Sequence, residues 1–522
     1  VAFLYFGTNV ALASAPESTF WAERRKNAQR QNGPGPVELA GLPAAASSPA
    51  DILRQLPSLD RVSRSPALSQ SVTENLPQSF IQKHADLLNA LSHSYGAIRH
   101  IGLPIGRDSG KIVIHIQDVH QNEDAQKNIG QAVQALIDKG QTGLVALEGA
   151  FRPIALGRFR AFPDHGAVRE AADFLLRENK ISGPIHAAFT SAQEIPPFIG
   201  VDDPAHYAAN VEAYKRSAPH QAEIKARLAT EAADLDRRKI AAFSPALKSF
   251  DGAVAAYRDG KGTLGDYVRA LSSVGHPTAQ VSRFLEALAM EQSMDFKQVE
   301  SERSLLVERL VARLSRERIQ ELADRSVAYR AGCLRFADFY RFLRDLCREN
   351  GVALSRYPAM DGYIRYVLAA DRIDAEKLFD ELSVLEVSDY ARLAKTKEEE
   401  RLVEDSRRLA LTGKLVDFSL SSREWGGYQA VKNGFTPSPR RKPGSSLSME
   451  SLDLASFESF YNEAQARDDA MAQNLLRAAA GGGQAAVVLV TGGYHSDGIA
   501  EKLRKAGFTV VSFTPNIEII DV

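Results

Sequence analysis

The chain has 522 residues, 44% of them hydrophobic and 25% charged, with a formal net charge of −1. This is the composition of a soluble globular protein with room for about two structural units. Near-neutral charge gives no global attraction to nucleic acid or anionic membranes, because phosphate binding requires a clustered basic surface.

Residues 1–15, VAFLYFGTNVALASA, are apolar and close on Ala13-Ser14-Ala15, the small-residue pattern of a signal-peptidase site. They are expected to be the remnant of a signal peptide, with export to the periplasm or cell exterior. Fifteen residues are too few to cross a bilayer comfortably, and no later apolar run is long enough, so no membrane span is expected after signal removal. Residues 16–94 are rich in Pro, Ala, Ser and Gln and are expected to be mostly a mobile linker, broken by a helix around Ser79 to Leu91.

From residue 95 the pattern becomes β-α-β. Residues 111–117 (KIVIHIQ) form a buried strand, Asn122 caps a helix whose first turn is acidic, and Ile129, Val133, Leu136 and Ile137 repeat at helical spacing until Gly140. A second strand ends at Glu148, a helix covers about 166–178, and a third strand spans Pro197 to Val201. Residues 205–432 carry leucine-type positions every three or four residues with interleaved charges, the pattern of an all-helical insertion. Cys333 and Cys347 fall there. In one continuous helix they would lie about 21 Å apart, beyond disulfide reach.

Residues 433–449 are Pro-, Ser- and Gly-rich and read as a flexible loop. A long helix to Ala480 follows, then a strand from Ala486 to Thr491, a helix capped by Ser496 and ended by Gly507, and a last strand from Thr509 to Phe513. The expected fold is α/β: a mainly parallel sheet with flanking helices, built from residues 95–204 and 450–522 and interrupted by the helical insertion.

Buried parallel strands read as continuous apolar runs, and ligands gather beyond their carboxyl ends. Such ends here carry Asp118 and His120, Glu148, Asp202 and Asp203, and His495. Two imidazoles and a carboxylate suit zinc, manganese or iron with an open position for water, which makes His120, Glu148 and His495 the candidate metal ligands. His115, inside its strand, reads as a core histidine. In the long helix Arg467 falls on the stripe of Phe460, Ala464, Met471 and Leu475, where a guanidinium needs a carboxylate or an anionic substrate group. Gly492 and Gly493 allow a tight turn and close approach of a ligand, with Tyr494 as wall or donor.

Asp118-Val119-His120, Leu147-Glu148, Arg467-Asp468-Asp469-Ala470-Met471 and Gly492-Gly493-Tyr494-His495, in this order, resemble motifs of the Tiki/TraB, erythromycin-esterase and ChaN-like superfamily. Roughly a third of the chain carries these motifs, each of which is short. Where that group has Gly-Glu-x-His or Gly-x-x-His, this chain opens the first motif with Gln117 and Asp118. The resemblance implies an α/β core with a helical insertion and places His120, Glu148, Arg467 and His495 at a metal or catalytic centre.

The leading expectation is a metal-dependent hydrolase of ester or peptide bonds acting on a small-molecule or peptide substrate. Asp118 or Asp203 would serve as general base or orienter, and Arg467 would steady the developing oxyanion. The alternatives are a haem or small-ligand carrier using the same cleft without turnover, and an inactive helical scaffold.

Overall fold

The computed structural model describes residues 67–74, 76–119, 122–330, 333–433, 452–481 and 485–517. The expected signal remnant, residues 1–15, lies outside the described residues, as do residues 16–66 of the expected linker, His120 and residues 434–449 of the expected flexible loop.

The protein is mixed α/β. Its sheet comprises β1 (Gly96–Gly102), β2 (Ile112–Asp118), β3 (Thr142–Leu147), β4 (Phe198–Gly200), β5 (Ala486–Gly492) and β6 (Thr509–Pro515), in the spatial order β1-β6-β2-β5-β3-β4. The pairings β6-β2, β2-β5, β5-β3 and β3-β4 are all parallel. The β-α-β reading of residues 111–148 holds for the elements, and β5 lies between β2 and β3 in the sheet. Periodicity identifies strands, whereas their lateral order depends on which faces and edges meet in three dimensions.

Helix α1 (Glu123–Asp138) connects β2 to β3. The Asn122 side chain accepts from the Ala125 N–H, and Gly140, at φ +62°, lets the chain turn into β3. Helices α2 (His165–Arg177), α3 (Gly183–Thr190) and α4 (Pro204–Ser217) flank the passage through β4. Among the described residues every element between Pro204 and Asn433 is helical. Helix α5 (Ala455–Ala480) then leads to β5, and α6 (Ser496–Lys505) connects β5 to β6. Helix α6 begins at Ser496 itself and the residue ahead of it is His495, so the expected capping position is one residue out.

The described chain divides into two compact units, residues 100–276 with 383–517, and residues 67–99 with 277–382. In the first, Val113, Val487, Leu489 and Val510 from three strands pack against Met471 and Leu475 of α5 and Ile499 and Leu503 of α6. Strand alternation puts Val113, His115 and Gln117 on this face of β2, and Ile112, Ile114, Ile116 and Asp118 on the other.

The second unit is helical and holds a ring cluster in which Tyr340 meets Tyr329, Phe339 and Tyr363 edge to face. In its residues 67–94, two helices fall where a helix around Ser79 to Leu91 was expected to break the linker, and a third precedes them. The three are Gln70–Thr73, Gln78–Lys83 and Ala85–Ala90, with Leu87, Leu88 and Leu91 buried, and these apolar side chains give the segment enough buried surface to order. Cys333 departs from expectation. The helix holding Cys347 spans Phe336–Glu349, so the two cysteines do not share it, and both are buried.

Leu475 is fully buried between α5 and the sheet. Leu475→Ala should destabilise the first unit by about 2–5 kcal/mol, read as a lower midpoint in urea denaturation followed by circular dichroism.

Candidate functional site

The carboxyl ends of β3, β4 and β5 meet helix α5. Arg467 projects from the middle of α5 on the predicted apolar stripe and is only 2% exposed. A guanidinium that far from water requires paired, hydrogen-bonded acceptors, and the strand ends supply them. Its Nε and Nη2 donate to Asp202 Oδ1 and Oδ2 at 3.2 and 2.6 Å, Nη2 donates also to Glu148 Oε1 at 2.7 Å, and Nη1 donates to Asn210 Oδ1 at 3.2 Å. The ring of Tyr207 covers the guanidinium, 4.9 Å away. Asn210 is held in turn, since its amide donates to the Phe460 carbonyl at 2.7 Å.

The residue after β3, Glu148, is the hub. Its Oε2 accepts the Gly492 N–H at 2.6 Å, and its Oε1, shared with Arg467, lies 3.3 Å from His495 Nε2. The other imidazole nitrogen, Nδ1, sits 2.5 Å from Asp468 Oδ1. His495 therefore bridges two carboxylates while 3% exposed. Burial opposes its charge, but Glu148 and Asp468 outweigh burial and raise the imidazole to about 9. Burial raises the Asp468 carboxyl above its usual range, and the His495 charge opposes that rise.

Two glycines fit this geometry. Gly149, at φ +71°, turns the chain sharply after Glu148 and donates its N–H to Asp202 Oδ2 at 3.1 Å. Gly498, in the first turn of α6, leaves room for Asp468, whose Oδ2 would stand 2.4 Å from a Cβ placed there.

Of the residues expected from sequence, Glu148, Arg467 and His495 come together. Gly492 contributes its backbone N–H to Glu148, Gly493 lies in the short turn Gly493–His495, and the Tyr494 ring lies 5.4 Å from that of His495. Asp118 is paired in register with Gly492, but its side chain belongs to the opposite sheet face, where it accepts from Gln126 Nε2 at 2.5 Å. Asp203 is occupied as the cap of α4, accepting from the N–H groups of Ala205 and His206; the His206 N–H foremost holds its carboxyl below the usual range. It opens onto a separate groove with His206, Asp469 and Asn474.

His115 is a core histidine, but an incompletely satisfied one. Its Nε2 meets Thr491 Oγ1 at 2.7 Å, its Nδ1 has no hydrogen-bond partner among the described residues, and burial pushes it down to about 4.

Asn210 and Tyr207 were given no role by the sequence, and Asp468 was named only as part of the Arg467–Met471 motif. Asp468 was findable: with Tyr461, Ala464, Ala472 and Leu475 it lies on a second apolar stripe of α5, and all five are buried. Among the described residues no group of three or more His, Cys, Asp or Glu side chains is placed to hold a metal ion. Within the cluster, His495 Nε2 and Glu148 Oε1 face each other at 3.3 Å. No protein-family model, curated protein or solved structure matches this chain.

Removing Arg467 would leave two buried carboxylates facing each other. Arg467→Met should cost on the order of 3–5 kcal/mol, measured by urea denaturation. The raised His495 imidazole also makes stability depend on pH. Because its folded value lies above the ordinary 6.5, its contribution, on the order of 3 kcal/mol, is complete below about pH 6.5 and is lost as pH rises toward about 9. A stability-against-pH profile should fall across that window in the native protein, and His495→Gln should flatten the fall.

Proposed function

We propose that this cluster is the centre of a metal-assisted hydrolase, in which His495 and Glu148 would hold a divalent cation. The observation that carries the reading is the bridging imidazole: Asp468 takes Nδ1 and leaves Nε2 facing a carboxylate oxygen 3.3 Å away. Carboxylate–histidine pairing of this kind orients metal-binding imidazoles, and ligand atoms each about 2.0–2.2 Å from one ion are separated by about this distance.

The charge balance agrees. Glu148, Asp202 and Asp468 oppose the single guanidinium of Arg467, which leaves two negative charges when His495 is neutral. A divalent ion compensates both. The charged, polar surroundings of Nε2 suit a small cation such as zinc, manganese or iron better than a haem. His120, two positions beyond β2, is the third donor expected from sequence.

When bound, such an ion supplies a Lewis acid that makes water nucleophilic near neutral pH. Asp468 keeps the proton on Nδ1, so that His495 offers its lone pair at Nε2. Arg467 and the Gly492 N–H hold the two Glu148 oxygens in place. With its guanidinium committed to Asp202, Asn210 and Glu148, Arg467 takes a positioning role in this reading rather than the oxyanion role expected from sequence. Asp118 and Asp203, tied to Gln126 and to the start of α4, are given no proton-transfer role. The reaction class is addition of water across an ester or peptide acyl bond. The helices from 205 to 432 are read as an insertion between two halves of the sheet domain, a reading supported by β5 and β6 flanking β2 in the sheet.

The test is titration of metal-stripped protein with Zn²⁺ and with Mn²⁺ by calorimetry, with bound metal measured after dialysis. About one ion per chain is expected, lost in His495→Ala and in Glu148→Gln. Binding should tighten as pH rises toward 9, because the ion displaces the proton on Nε2. Equal metal content in the native protein and His495→Ala would remove the proposal.

A further inference from the structure

Among the described residues, five phenylalanines are strongly exposed, and four of them, Phe151, Phe159, Phe162 and Phe174, lie within 24 residues of one another. Exposed apolar side chains normally occur singly, and four within one short stretch of sequence depart from that. Its densest part is residues 151–163 (FRPIALGRFRAFP), where the three rings are 41%, 56% and 53% exposed and three arginines occur without any acidic residue. The overall charge of −1 conceals this local basic cluster.

The segment is held in place. Residues 152–154 run antiparallel to β4, with the Gly200 N–H donating to the Arg152 carbonyl at 2.9 Å and the Ile154 N–H to the Phe198 carbonyl at 2.8 Å. Arg160 donates to the carbonyls of Ala188, Ser191 and Gln193 at 2.7, 3.0 and 2.6 Å, and Leu156 is buried. The Phe159 ring packs on Phe189 at 5.0 Å. The exposed rings therefore stand on an anchored platform, with the exposed Arg158 beside Phe159.

We propose that residues 151–163 form a docking surface for an anionic lipid bilayer. Phenylalanines enter the boundary between headgroups and acyl chains, while arginines attract negatively charged headgroups. Neither contribution alone gives stable attachment, and the pairing of both on one ordered segment is what favours a charged bilayer over a neutral one. No helix among the described residues is long and apolar enough to span a membrane, and the proposed attachment is peripheral.

The experiment is co-sedimentation of the full chain with vesicles of phosphatidylcholine alone and of phosphatidylcholine mixed with phosphatidylglycerol. Preferential binding to the mixed vesicles is expected, weakened by added salt. The double substitution Phe159→Ala/Phe162→Ala should lower it on the order of tenfold, and Arg158→Glu several-fold, while Phe336→Ala, at an exposed phenylalanine outside the segment, should leave it unchanged. Circular dichroism checks that each variant folds, and Arg158→Glu reads the same surface should the double variant not fold. No binding to mixed vesicles overturns the proposal, as does binding that survives both substitutions, which would place attachment elsewhere in the chain. Concentration-dependent self-association in sedimentation analysis, abolished by Phe159→Ala/Phe162→Ala, would assign the surface to a second copy of the chain and also overturn it.

Discussion

Burial of the Arg467 guanidinium constrains everything around it. A cation at 2% exposure in the middle of a 26-residue helix would be prohibitive without acceptors, and these come from three other parts of the chain: Glu148 after β3, Asp202 after β4 and Asn210 in α4. The apolar face of α5 fixes its packing against β2 and β5, and the guanidinium fixes where along that face the ends of β3 and β4 must stop. Hydrophobic packing is tolerant of small shifts, whereas a bidentate contact of 2.6 and 3.2 Å to Asp202 is not.

The same contact creates the site. Arg467 takes one side of Glu148 and turns its Oε1 toward His495, and the neighbouring residue on α5, Asp468, takes the far side of that imidazole. One helix thus contributes both the cation that positions the glutamate and the anion that orients the histidine. Because β5 lies between β2 and β3, its His495 turn arrives beside Glu148 only when segments some 340 residues apart have paired. The cluster cannot form within either half of the sheet alone.

The elements were legible in the sequence because period and capping are local signals. The run IVIHIQD, the α1 repeat and the β-strand before Gly492 appear as read, and Arg467 was marked by its place on an apolar stripe. Strand order was not legible, since β5 separates β2 from β3 through contacts no local pattern encodes. Asp203 was misplaced for a related reason: an aspartate before Pro204 is equally a strand-end acid and a helix cap, and the cap is the contact its side chain makes. Asp468 was named in the Arg467–Met471 motif but given no role, although Tyr461, Ala464 and Leu475 place it on a buried stripe. Asn210 left no signal, being one polar residue in a helix whose buried face is read only once its partner is known.

Two histidines on the same sheet face end in opposite protonation states. His115 and His495 are both buried, so both lose the solvation that would support a positive charge. His115 has the Thr491 hydroxyl at one nitrogen and no described partner at the other, so burial prevails and the ring stays neutral at about 4. His495 has a carboxylate at each nitrogen, which reverses the outcome to about 9. Divergent environments acting on like groups are how a fold assigns proton-holding and proton-free roles. The neutral His115 lets the floor of the site remain part of the apolar core. In the proposed metal site, the charge carried by His495 would make its Nε2 the position where a proton and a metal ion compete.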